Sequence, residues 1–219
     1  SYMYAKAIGE ECRACNIHFL LGPGVNIYRS SLNGRNFEYM GEDPYLTATM
    51  ASSYVKGMQS TGVAATVKHF LCNNEEYKRR GCNVIVDERS LHKIYLPGFK
   101  AAIDAGVFGV MTAYNQLNGE WCGQSEEVAS KLLREELGFK WLCMTDWTST
   151  WDGEKVAKSG VDLEKPWGLV LKKVKDKLIG TPDIDRMALN IIKTCIAAGL
   201  YKKDYRDPSL YESFKEHER

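Results

Sequence analysis

Trp141-Leu142-Cys143-Met144-Thr145-Asp146-Trp147 decides the fold of this chain. An apolar run reads as a strand buried on both faces, and it stops abruptly at a carboxylate. In α/β barrels the C-terminal ends of parallel strands carry the chemistry. Taken alone, Asp146 reads first as a cap for the following helix. The surrounding sequence gives it company of the same kind.

Strand-like and helix-like segments alternate outward from this stretch in both directions. Short apolar runs bounded by Gly, Pro or polar residues predict strands at 19–27, 64–70, 107–114, 141–147 and 160–166. Amphipathic spacing predicts helices at 2–15, 45–60, 88–104, 126–136 and 183–199, with Asp183 as an N-cap and Gly199 at a stop. Repeated βα units imply a parallel sheet covered by helices. The predicted class is therefore α/β, a (β/α) barrel of the eight-stranded type. Five strands fall short of eight, and such a barrel typically needs roughly 250 residues. The expectation is an incomplete barrel over residues 1–200 whose first strands lie elsewhere, followed by a solvated or loosely docked extension at 201–219. That extension carries ten charged residues in nineteen.

Composition narrows the function classes. The chain has 219 residues, 29 basic and 28 acidic, for a formal charge of +1. With no basic stripe, nucleic acid is not expected as a partner. No apolar run approaches the roughly 20 residues that cross a bilayer, so no membrane partner is expected. Ser1 to Lys6 lacks the layout of a signal peptide. Seven cysteines, an odd number, suit reduced thiols and a cytoplasmic location better than secretion. Cys12-x-x-Cys15 has no second pair at zinc spacing, and Cys72 and Cys82 read as free thiols. No metal or cofactor is expected.

Four polar clusters close the predicted strands. Arg35, in Gly34-Arg35-Asn36-Phe37-Glu38, offers a rigid fork of donors able to grip two neighbouring hydroxyls. Glu38 and Asp43 read as groups that bind backbone and cap the helix beginning near Tyr45. Lys68-His69 ends the strand from Ala64, and two polar side chains in succession on a buried strand need partners. Both must reach one pocket, whereas neighbours in a regular strand face opposite ways. A distorted backbone, including a non-proline cis bond, is expected there. Tyr114 arrives at another strand end, in Ala113-Tyr114-Asn115. Thr145-Asp146-Trp147 is the fourth cluster, where the indole is a flat apolar platform suited to a sugar ring.

The stretches LLGPGVNI, GRNFEYMGEDPY, GVAATVKHF, NNEEYKRRG, VDERSLHKIYLPGF, GVMTAYNQLNG, LLREELGFKW, MTDW and GVDLEKP together resemble glycoside hydrolase family 3. They run in family order over nearly the whole chain. The resemblance implies a retaining exo-acting β-glycosidase, a β-glucosidase first, with a β-xylosidase or a non-catalytic carbohydrate-binding fragment as alternatives. It implies Asp146 as catalytic nucleophile, and Arg35, Lys68, His69, Tyr114, Trp147 and Met111 as sugar-binding residues. Asp162 and Glu164 become structural. The loop Asn73 to Arg80 resembles the glucosidase branch, lacking the Asp-x-His dyad of the N-acetylglucosaminidases. Implied partners are a small β-glucoside or oligosaccharide, the missing start of the barrel, and an α/β sandwich domain that typically supplies the acid/base.

Overall fold

A computed structural model describes residues 1–201 and 205–210. Four parallel strands form the main sheet: β1 (Phe19–Leu20), β2 (Ala64–Phe70), then past a small insertion β4 (Gly109–Thr112) and β7 (Leu142–Met144). Their order in the sheet is β1-β2-β4-β7, the order of the chain, as successive right-handed βα units produce. In register, Lys68 lies beside Met111 and Met111 beside Met144. Among the described residues this sheet does not close; β1 and β7 are its edges.

Helices Tyr2–Ala14, Pro44–Gln59, Pro97–Asp104, Glu127–Glu136 and Thr181–Ala197 accompany the sheet. One face of it meets a core that includes Val55, Met58, Val67, Phe70 and Phe99. The Phe70 and Phe99 rings meet edge to face, 5.0 Å apart. On the other face Met111, Leu142 and Met144 form a smaller cluster with Phe19 and Ile191.

Several predicted boundaries shift for identifiable reasons. The strand predicted at 19–27 is regular only at Phe19–Leu20. Beyond Gly22 the chain still runs beside β2, with Lys68 N–H bonded to Pro23 O and Val25 N–H to Lys68 O, but Pro23 itself has no N–H to give. The strand predicted at 160–166 reduces to a single bridge between Met144 and Leu163. The helix predicted at 88–104 splits into Glu88–Ser90, a wider π-type turn at Leu91–Tyr95, and Pro97–Asp104. Pro97 cannot continue the hydrogen-bond ladder and starts a new helix instead. In Thr181–Ala197 the N-cap is Gly180, and Asp183 lies inside the first turn, where its charge suits the helix dipole. Gly199 follows the end with φ 73°.

Sequence reading overlooked a second sheet, β3 (Asn83–Val84), β5 (Gln116–Leu117) and β6 (Glu120–Trp121). β5 and β6 form a hairpin whose turn, Asn118-Gly119, has positive φ at both residues. An Asn-Gly pair is the strongest short-range signal for this turn, and it was present to be read.

Part of the predicted extension is described. Tyr205 is docked, 7 % exposed, with its hydroxyl on Ile17 O at 3.0 Å and Arg13 stacked on its ring. The rest of that expectation falls on residues 202–204 and 211–219, outside the described residues. All seven cysteines are unbridged. Among the described residues no helix is long and apolar enough to cross a membrane.

Candidate active site

The end of β2 is held by an amide clamp. Asn26 Nδ2 donates to His69 O at 3.0 Å, and His69 N–H donates to Asn26 Oδ1 at 2.9 Å. The Lys68–His69 and Phe70–Leu71 peptides are both cis, and pairing with β4 slips between Lys68 and Phe70. With the ladder interrupted, both side chains reach the same loop. Lys68 Nζ lies 3.0 Å from Glu38 Oε2, and Arg35 Nη2 lies 3.0 Å from His69 Nε2.

That loop precedes the helix Pro44–Gln59, whose N-cap is Asp43; its Oδ1 accepts from Leu46 N–H at 2.6 Å. Glu38 does not cap this helix, contrary to expectation. It pairs with both Arg35 and Lys68. Burial alone would raise the Glu38 carboxyl, but the bonds from Arg35 and Lys68 outweigh it and hold Glu38 below its usual range. Arg35 also faces Glu76 at 3.6 Å, and Glu76 takes Arg79 at 2.7 Å.

His69 is 1 % exposed and packs against Tyr39, whose hydroxyl is 3.0 Å from Nδ1. Burial first, then the charges of Arg35, Lys68, Arg79 and Lys165, push the imidazole well below its ordinary value. The ring is therefore neutral. Because Arg35 can only donate, Nε2 accepts from it and Nδ1–H turns to Tyr39.

Asp146 lies two residues beyond β7, 9 % exposed. Its Oδ1 accepts from Trp147 N–H at 2.6 Å, and its Oδ2 stands 3.4 Å from His69 Nε2. Ser149 Oγ bonds Asp146 O at 3.0 Å and shapes the turn. The surrounding cations do not dominate its protonation. Burial raises the carboxyl above its usual range, against the Trp147 N–H, Arg35, Lys165 and Arg79. Tyr114, closing β4, lies against this carboxylate; burial and the Asp146 charge push its phenol up. Arg79 stacks over the Tyr114 ring at 3.9 Å.

The structure thus gathers Arg35, Lys68, His69, Tyr114 and Asp146 at one end of the parallel sheet. Trp147 is at the rim with its indole 57 % exposed. Met111 is buried in the cluster with Leu142 and Met144, directly beside Lys68 in register. Sequence reasoning missed Tyr39 and Asn26, which orient His69, and Arg79. Lys165, within the stretch GVDLEKP, also lies near enough to bear on Asp146 electrostatically. Tyr39 and Asn26 carry no signal in a single sequence, because their role is visible only once their loops meet β2. Asp162 and Glu164 are scaffold. Asp162 pairs with Arg134 and Arg186, and Glu164 accepts from Leu169 and Val170 N–H. Among the described residues no group of three or more metal-ligating side chains forms.

Residues 2–161 match the model of the glycosyl hydrolase family 3 N-terminal domain. The chain is 42 % identical over 205 residues to thermostable beta-glucosidase B of Acetivibrio thermocellus, covering 90 % of this chain and 27 % of that protein. It is 47 % identical over 161 residues to a beta-glucosidase of Rhizobium radiobacter, covering 73 % and 20 %. Among solved structures, beta-glucosidase 3B of Thermotoga neapolitana in complex with alpha-D-glucose superposes with a TM-score of 0.91 at 38 % identity, covering 98 % of this chain and 32 % of that one. The chain therefore spans about a quarter of the length of these relatives.

Proposed function

Because this chain belongs to glycosyl hydrolase family 3, we propose that it carries the nucleophile half of a retaining β-glucosidase site, with Asp146 as the nucleophile. The observation that carries this reading is the Asp146 carboxylate at the end of a parallel strand. One oxygen is tied to Trp147 N–H, the other faces His69, Arg35 and Tyr114 bear on the carboxylate, and Glu38 holds Lys68 beside Arg35.

Oδ1 is taken by the Trp147 N–H, so Oδ2, on the His69 side, is the oxygen to attack the anomeric carbon. The new C–O bond forms as the glycosidic bond breaks, and the leaving oxygen takes a proton from a general acid. Water then cleaves the glycosyl ester and restores Asp146. Lys68 keeps donors free beyond its contact with Glu38 for ring hydroxyls whose bonds strengthen in the oxocarbenium-like transition state. Glu38 fixes Lys68 and Arg35 in place, so little reorganisation remains at the moment of reaction. Trp147 and Met111 would wall the sugar.

The acid is assigned outside this chain. A general acid needs a raised pKa, usually from an apolar setting or a like charge. Glu38 is held low by its cations, Glu76 accepts from Asn73 and Arg79, and Glu75 accepts from Tyr77 N–H. The open sheet edges and the extent of the relatives support residues 1–200 as part of a longer barrel, completed by further strands and a second domain.

Incubating the full-length polypeptide with a 2-deoxy-2-fluoro β-glucoside bearing an activated leaving group tests the assignment. A covalent adduct should map to Asp146 and be absent from Asp146→Asn. Labelling of any other carboxylate, or near-normal turnover by that variant, would sink it.

A further inference from the structure

Lys165 stands next to the site without the partners its neighbours have. Cations and carboxylates around Asp146 are otherwise matched: Glu38 takes Arg35 and Lys68, and Glu76 takes Arg79 and faces Arg35. Among the described residues, Lys165 Nζ makes no ion pair and reaches no oxygen acceptor. Its hydrogen-bond contact is Met144 Sδ, at 3.4 Å. Thioether sulfur is a weak acceptor, so an ammonium with three donors is left under-used.

Its placement is set by backbone. Residues 161–165 run beside β7: Met144 bridges Leu163 in parallel, and Thr145 N–H bonds Leu163 O at 2.9 Å. Lys165 N–H bonds Thr145 Oγ1 at 2.9 Å, and Thr148 N–H bonds Lys165 O at 3.0 Å. Continuing the register from Met144 and Leu163 sets Lys165 opposite Asp146, and residues two apart share a face of a strand. Met144 in turn neighbours Met111 and, through it, Lys68. Lys165 therefore flanks the nucleophile on the side away from Lys68 and Glu38.

We propose that Lys165 is a substrate-binding residue whose ammonium donates to one hydroxyl oxygen of the sugar held against Asp146. The inference rests on the glycosidase reading for the identity of the ligand, but its consequence is a binding one. Burial beside Asp146, which disfavours its charge, is relieved when an acceptor oxygen arrives.

Binding of methyl β-D-glucoside and its four monodeoxy analogues to the full-length polypeptide, measured by calorimetry, tests this without any need for turnover. Lys165→Met keeps the length of the side chain and removes its donors. It should weaken the parent glucoside about 10- to 100-fold, the usual worth of a hydrogen bond to a charged group. For one deoxy analogue, the one lacking the contacted hydroxyl, the variant should bind as the parent protein does. Lys165→Arg should restore part of the discrimination. Equal weakening of all five ligands, no weakening of any, or no binding of glucoside by the parent protein would overturn the proposal. Binding without hydrolysis would sink the glycosidase reading alone.

Discussion

To act as the proposed nucleophile Asp146 must be ionised, yet it is nearly dry, at 9 % exposure. Burial raises its pKa despite Arg35, Lys165 and Arg79 nearby, so ionisation opposes folding. The sign follows from linkage: a carboxyl whose folded pKa is raised gives most stability when protonated and loses it as pH rises through that value. Asp146→Asn removes the charge while keeping the shape. The variant should melt higher than the parent at pH 7, with the gain shrinking as pH falls through the raised folded value and vanishing below the unfolded value of about 3.9, where the parent carboxyl is protonated in both states. Differential scanning calorimetry across that range checks it, and a lower melting temperature at pH 7 would mean that attraction to the cations outweighs burial. His69 works differently. Kept neutral by burial and four cations, it accepts from Arg35 and bears on Asp146 as a dipole rather than as a charge.

At the scale of elements, the position of β7 depends on a carboxylate far from the chemistry. Asp162 is buried and receives Arg134 at 2.6 Å, Arg186 at 3.0 Å, Asn190 at 2.9 Å and the backbone N–H of Cys143 at 2.9 Å. It thereby joins the helices Glu127–Glu136 and Thr181–Ala197 to the strand that ends at Asp146. Removing one partner of a buried ion pair typically costs about 3–5 kcal/mol, because the remaining charges stay buried unpaired. Asp162→Ala should lower stability by that amount in urea unfolding, and a loss below about 1 kcal/mol would show that water reaches the two arginines. Close approach sets the loop above β2 in the same way. A Cβ on Gly24 would stand 2.8 Å from the Tyr39 ring and 3.0 Å from Glu38 O, so only glycine lets the residues that hold His69 and Lys68 come down onto the strand.

At the scale of the whole molecule, Asp146 and the cations proposed to bind sugar share one sheet end, and on that proposal the acid lies outside this chain. Positioned proton transfer contributes roughly 10²–10⁴-fold. The 219-residue chain by itself should therefore hydrolyse a p-nitrophenyl β-glucoside at least about 10²-fold more slowly than a full-length family 3 relative. The gap should narrow for a dinitrophenyl glucoside, which needs no proton to depart. Steady-state rates on the two substrates decide it, and comparable rates on both would place the acid within this chain.

The alternation of short apolar runs with amphipathic helices determined the parallel α/β sheet, because those periodicities report burial on two faces or on one. The same local chemistry put Asp146, Lys68, His69 and Tyr114 at strand ends, and their motifs carried the family. Boundaries that depend on a partner stayed out of reach. The segment 160–166 keeps a single bridge to β7, and its Asp162 serves two arginines from distant helices, which no local pattern reveals. Glu38 looked like a cap and became the counter-ion of the site, since a short side chain on a loop is assigned by whatever the fold brings near it. Lys165 likewise acquired its meaning only from the parallel register beside β7, which sets it against Asp146, 19 residues earlier in the sequence.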